Sequence, residues 1–374
     1  MIRVRTDQRR TNRGKTSMNG RIYHIRNALP ELVELEALID EGRDSMRISV
    51  PAHISHQNEQ LPIYAIEMGS RAATAPTLAF IGGVHGIERI GSQIILAFMR
   101  SLLHRSQWDE QLQQQLASIR LLFIPIVNPA GMWQNSRSNT NGVDLMRNAP
   151  VEAEHRTPFL VGGQRLSARL PWYRGKKGHT METENLALTE VIAQTLFSQS
   201  LCISLDCHSG FGYRDRIWFP YARSLAPWPG LPDAYAMTRL FEHSYPNHNL
   251  YLFEPQANSY TTSGDIWDYL YDGYRAANPN GVYLPLTLEM GSWLWVKKNP
   301  RHLFNYRGLF NPILPHRQQR ILRRHITLFE FLMAAIANGP AWVPATASEH
   351  QHSLQQALER WYPERAKETN VLIP

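Results

Sequence analysis

The stretch Phe80-Ile81-Gly82-Gly83-Val84-His85-Gly86-Ile87-Glu88 narrows the choice of fold more than any other. An apolar run ends in a glycine pair, a His and a Glu follow three residues apart, and a helical pattern begins at Arg89. A strand that gives way so abruptly to a helix leaves its last side chains at the edge of a sheet. In open α/β sheets ligands bind at that edge. A neutral imidazole and a carboxylate brought to one point are two of the three protein ligands of a catalytic zinc. The glycines permit the tight turn. A surface His and a Glu favoured by the helix dipole would give the same letters, so the rest of the chain has to decide.

Helical periodicity is expected over 30–41 (Leu32, Leu35, Leu38, Ile39) and over 88–104 (Ile90, Ile94, Ile95, Phe98, Leu102). Strands are expected at 46–50 and 61–67, joined by a polar loop, and at 77–84. The run Ile119–Val127, after a Gln-rich helix over 109–117, has the near-continuous apolar character of a strand buried on both faces. Asn128-Pro129-Ala130-Gly131 reads as a loop. It leads into a polar loop holding Arg137, Asp144 and Arg147, a placement that often carries function. Further helices are expected over 184–197, with Thr183 as N-cap, over 232–245 and over 317–337. Strands are expected over 201–206, ending Asp206-Cys207-His208-Ser209-Gly210, and over 284–291, placing Glu289 near its end.

Composition excludes little but locates the charge. Of 374 residues 43% are hydrophobic and 19% charged, and no apolar run nears the roughly 18 residues of a membrane span. No apolar leader is seen at the start, and two cysteines are too few for a disulfide framework. Cys202 and Cys207, five apart on one strand, would face opposite ways. A cytoplasmic setting is the expectation. The net charge of +7 comes entirely from residues 1–26, where eight basic residues face one acid; the remainder balances at 31 each. That arm reads as a disordered leader, and no nucleic-acid partner is expected beyond a weak contribution from it. Residues 27–340 are expected to form the catalytic domain, and 341–374 a helix and tail.

Strand ends now supply His85 with Glu88, then His208, then Glu289. Two His and one Glu leave the fourth position of a tetrahedral zinc open, and a further carboxylate can act as base. The order His-x-x-Glu, Arg…Asp-x-x-Arg, His-Ser, Tyr and Thr-x-Glu resembles the M14 family of zinc metallocarboxypeptidases, from about residue 77 to 295. The resemblance implies a mixed, largely parallel twisted sheet with helices on both faces. It implies one zinc ion on His85, Glu88 and His208, with Glu289 (in Thr287-Leu-Glu289) as general base. It implies that Arg137 stabilises the oxyanion, Arg147 grips a terminal carboxylate, Asp144 orients a zinc His, and Tyr260 closes over substrate. Tyr173-Arg174-Gly175 also resembles the family. The implied specificity pocket has its floor near Trp267, whose bulk argues against large side chains.

Four features depart from the family pattern or extend it. Met146 stands where an Asn usually precedes the carboxylate-binding Arg. Gly210 follows Ser209 where peptide-cleaving members often have Tyr. Asp206 lies two residues before His208, so on a strand both face the same way, and Asp206 either tunes the site or ends the strand. Trp293-Leu294-Trp295 either walls a pocket or packs. The expected activity is hydrolysis of a peptide's C-terminal amide bond. The alternatives are a zinc deacylase of small N-acyl amino acids, like the desuccinylase and aspartoacylase relatives, and trimming of cell-wall peptides. A non-catalytic binding protein on the same scaffold is the reading from another class.

Overall fold

A computed structural model of the chain describes residues 25–293, 297, 306–312 and 314–370. Most of the basic arm and Trp295 therefore lie outside the described residues. Eight strands form one sheet in the order β1-β2-β4-β3-β5-β8-β6-β7. They are β1 (Met46–His56), β2 (Glu59–Gly69), β3 (Thr77–Gly82), β4 (Arg120–Ile124), β5 (Leu201–Ser209), β6 (Asp215–Phe219), β7 (Tyr251–Pro255) and β8 (Val282–Met290). The pairs β4-β3, β3-β5, β5-β8 and β6-β7 are parallel, and β1-β2, β2-β4 and β8-β6 antiparallel. The expected mixed, largely parallel sheet is therefore present.

The central strands are apolar because both their faces are covered. Every residue of β3, β4 and β5 is buried. The helix Arg89–Arg105 lies on β3 and β5 beside the helix Pro315–Ala337, and Phe80, Phe98 and Phe329 interlock there. The close approach needs Gly91: a Cβ there would lie 2.2 Å from the Cys207 carbonyl oxygen. Cys202 faces the other way, its thiol 3.2 Å from the Leu196 carbonyl of the helix Thr183–Leu196. The two cysteines thus mark opposite faces, as their spacing requires. The helix Ile266–Ala277 covers that second face, its Tyr274 ring 5.1 Å from Tyr283 of β8.

Several local expectations need correction. The polar loop between the first two strands is a continuation of both. The ladder runs from Met46↔Met68 to His56↔Glu59, closed by Gln57 and Asn58, both left-handed at φ 46° and 65°. A two-residue hairpin turn takes that conformation, and β1 is an edge strand whose exposed alternate positions carry His53 and Ser55. Asn128-Pro129 starts a short helix, Pro129–Gln134: the Asn128 side chain accepts the Gly131 N–H at 2.8 Å, and proline suits the first turn. Thr183 is the first residue of its helix and not the N-cap. β6 and β7 gave no sequence signal: each is five residues long and carries a charged residue. The C-terminal segment joins the main core. The Trp361 indole donates to the Phe253 carbonyl at 2.8 Å, and its ring meets Phe219.

Candidate metal centre and active-site cleft

Strand register delivers the site. His208 on β5 pairs with Glu289 on β8, and Asp206 pairs with Thr287, so all four side chains share one face near the carboxyl ends of the two strands. Trp218 of β6 lies opposite Thr287 on that face. Beyond the end of β3, Gly83 takes φ 64° and turns the chain toward His85. Gly86 then packs backbone against backbone: a Cβ there would lie 2.0 Å from the Gly131 carbonyl carbon. This tight turn sets His85 and Glu88 against His208.

The His85, Glu88 and His208 ligand atoms all lie within 4.8 Å of one another, and all three residues are buried. His85 Nδ1 is 2.9 Å from Glu88 Oε1, His208 Nδ1 is 3.0 Å from Glu88 Oε2, and the two Nδ1 atoms are 3.1 Å apart. Each ring turns its other nitrogen to a carboxylate. His85 Nε2 lies 3.1 Å from Asp144 Oδ1, and His208 Nε2 lies 2.6 Å from Asp206 Oδ2. A proton on each Nε2 leaves both Nδ1 lone pairs aimed at one point beside a carboxylate. That donor set fits a zinc ion, and the paired carboxylates are the usual outer partners of such imidazoles. Without a cation, burial opposes charge on Glu88 and His208 but the attraction of their neighbours prevails. Glu88 falls well below the usual carboxylate range beside the two histidines, and His208 rises well above its ordinary value beside Asp206.

The expected residues meet here. Arg137 donates from Nε to Asp144 Oδ2 at 2.9 Å and from Nη1 to Glu88 Oε1 at 3.1 Å. Burial works against both charges of the Arg137–Asp144 pair, yet each holds the other ionised: Arg137 rises and Asp144 falls well below its ordinary value. Arg147 is only 2% exposed. It donates to the Met146 carbonyl at 3.2 Å and, at 3.5 Å, to the Tyr260 hydroxyl. Among the described residues no carboxylate oxygen lies within 4.0 Å of its guanidinium. One cleft of about 260 Å³ is lined by His85, Arg137, Met146, Arg147, His208, Trp218, Gln256, Tyr260, Thr287 and Glu289. Glu289 is partly exposed to it, but its Oε2 is shielded and has no partner. Burial first, then the nearby Glu88 charge, pushes the Glu289 carboxyl up to about 8. Burial also raises the Tyr260 hydroxyl.

Trp267 does not line that cleft. It is buried, and its indole N–H donates to Asp206 Oδ2 at 2.9 Å, the same oxygen that His208 engages. Its ring borders a smaller neighbouring chamber with Asp265 and Asp268. The reason is the sheet: Asp206 points to the face that the helix Ile266–Ala277 covers, so the indole at the head of that helix meets the carboxylate first. Gln256, Trp218 and the Ser209 N–H, which donates to Glu88 Oε2 at 3.0 Å, are site residues that spacing alone did not reveal. Trp293 is 47% exposed and packs edge-on to Tyr213 at the surface, in reach of Phe211.

Comparisons with known proteins point to one family. Carboxypeptidase E of Caenorhabditis elegans is 30% identical over 135 residues, 31% of this chain and 29% of that protein. Carboxypeptidase SOL1 of Arabidopsis thaliana is 23% identical over 269 residues, 70% of this chain and 50% of the relative. The chain thus spans half or less of the length of these curated relatives. Carboxypeptidase A from Helicoverpa armigera shares the fold, with a TM-score of 0.59 at 15% identity over 81% of this chain and 71% of that one. The sequence pattern of the zinc carboxypeptidases matches residues 41–292, which hold His85, Glu88, Arg137, His208 and Glu289 alike. Matched over more than half its length, the chain belongs to the zinc carboxypeptidase family, peptidase M14.

Proposed function

We propose that the chain hydrolyses the amide bond joining the last residue of a peptide to the rest, with one zinc ion held by His85, Glu88 and His208. The observation that carries the reading is Arg147. A guanidinium 2% exposed, lining the cleft of the ligand triangle and with no carboxylate oxygen within 4.0 Å among the described residues, is placed to take an anion. A substrate's terminal carboxylate matches its fork.

When bound, zinc supplies Lewis acidity, polarising a carbonyl and making water a better acid. Glu289 takes the proton of the attacking water and returns it to the leaving amine as the C–N bond breaks. Burial and the Glu88 charge raise its proton affinity in the metal-free fold, and a bound cation would lower it again, freeing the carboxylate to accept a proton near neutral pH. Arg137, fixed by Asp144 and Glu88, presents a cation to the negative charge that develops on the carbonyl oxygen. Tyr260 sits beside Arg147 and covers the bound residue. Asp144 and Asp206 orient the two imidazoles, and Trp267 holds Asp206. The products are a peptide shortened by one residue and a free amino acid.

A second reading keeps the chemistry and changes the substrate to small N-acyl amino acids. Met146 favours it, because an apolar side chain lines the cleft where an amide donor to the carboxylate is usual. Short cell-wall peptides are a further substrate option. The deciding experiment gives zinc-loaded protein peptides with free C-termini, the same peptides amidated, and N-acyl amino acids, with Glu289→Gln as control. Cleavage confined to free C-termini supports the carboxypeptidase reading. Turnover of acyl amino acids alone moves the protein to the deacylase branch, and no turnover with zinc bound refutes both.

A further inference from the structure

Glu88 stands at the N-cap of the helix Arg89–Arg105 but makes no cap bond with its side chain. Its oxygens are committed to His85, His208, Arg137 and the Ser209 N–H. An N-cap side chain normally satisfies one of the first free helical N–H groups, so here another residue has to. Asn311 does so from 221 residues away: its Oδ1 accepts the Ile90 N–H at 3.1 Å. The other half of the same amide donates to the Ile87 carbonyl at 2.6 Å. The two bonds bracket Glu88 from either side.

The adjacent residue holds the other ligand loop. The Phe310 carbonyl accepts the Ser209 hydroxyl at 2.6 Å. The Phe310 ring lies on Gly210, where a Cβ would come within 2.6 Å of it. The missing side chain at Gly210 therefore has a structural use: it admits this ring. Both residues lie outside the stretch 41–292 that carries the family pattern.

We propose that Phe310 and Asn311 form a strap holding the His85–Glu88 and His208–Gly210 loops together, with Asn311 a positioning residue that sets the site's affinity for zinc. This rests on the zinc reading above. A carboxylate that must serve a metal cannot also cap its own helix, and the strap resolves that conflict.

The test measures zinc affinity by competition with a chromogenic chelator for wild-type protein, Asn311→Ala, Asn311→Asp and Ser209→Ala. Gln318→Ala is the control, because Gln318 bonds Gln93 of the same helix without touching either ligand loop. Asn311→Ala is expected to weaken zinc binding about 10- to 100-fold, the usual effect of losing an outer partner of a metal site. At saturating zinc its kcat and KM should stay within about threefold of wild type, since the strap touches no substrate. Asn311→Asp keeps the acceptor for Ile90 and loses the donor, so it should fall between. Asn311→Asp and Ser209→Ala carry the test if Asn311→Ala does not fold. Thermal destabilisation of the strap variants with wild-type zinc affinity, or an equal loss in Gln318→Ala, overturns the proposal. Wild-type protein that takes up no zinc overturns the zinc reading and the strap with it.

Discussion

Replacing Glu289 by glutamine in the metal-free protein reads the cost of ionising a shielded carboxyl beside Glu88. The folded carboxyl is pushed from 4.5 up to about 8, by burial first and the Glu88 charge second. A carboxyl with a raised value keeps its proton in the fold after the unfolded chain has released it. Stability contributed at low pH is therefore lost as pH rises from 4.5 through 8, and is level above. At about 1.4 kcal/mol for each tenfold change in proton affinity, the ceiling is about 5 kcal/mol. Glu289 shares its proton affinity with Glu88, so about 2–3 kcal/mol is the expected difference. Glutamine keeps the shape and cannot ionise. Urea unfolding of wild-type and Glu289→Gln proteins, stripped of metal, should give curves that agree near pH 5 and separate in favour of the variant by pH 9. Added zinc should shrink the gap, because a nearby cation favours the carboxylate. Parallel stabilities across the whole range would refute the account of Glu289 as a shielded, unpartnered carboxyl.

Further outcomes are open to measurement. Arg147→Met should lower kcat/KM on free C-terminal peptides by about 100-fold or more, at about 1.5–3 kcal/mol for each lost charged hydrogen bond, and leave amidated peptides unchanged; equal losses on both would remove the carboxylate role. Asp206→Asn should weaken zinc binding about 10- to 100-fold, and Trp267→Phe, which keeps a smaller aromatic ring but not the N–H, should weaken it less; a chelator competition reads both. Gly86→Ala should destabilise the protein by about 3 kcal/mol or more, because the new methyl meets Gly131 backbone at 2.0 Å; a thermal melt matching wild type would contradict that contact. Zinc at 100 times its Kd should add about 2.7 kcal/mol to stability, read as a rise in Tm that a chelator reverses.

Sequence alone determined what depends on neighbours along the chain. An apolar run at 77–84 announced a strand and its glycine pair the turn beyond, and the near-continuous apolar run at 119–127 announced a strand buried on both faces. Parity on a strand made Asp206 and His208 companions and set Cys202 and Cys207 apart, as the structure has them. The spacing of His85 and Glu88 pointed to a shared ligand point. Tertiary structure decided what depends on which segments pack together. Register placed Glu289 opposite His208, and the packing of the helix Ile266–Ala277 on the same face made Trp267 a donor to Asp206, 61 residues away, with its ring on a chamber beside the cleft. β6 became a strand because β8 offered an edge to pair with, and β7 because β6 then offered its own, which no pattern within five residues can encode. Asn311 capping a helix from 221 residues away lies still further beyond local reading. Periodicity records which face of an element is covered; it does not record by what. The partners of a buried carboxylate or amide are chosen when elements dock, because only then does water leave and each polar group require a replacement.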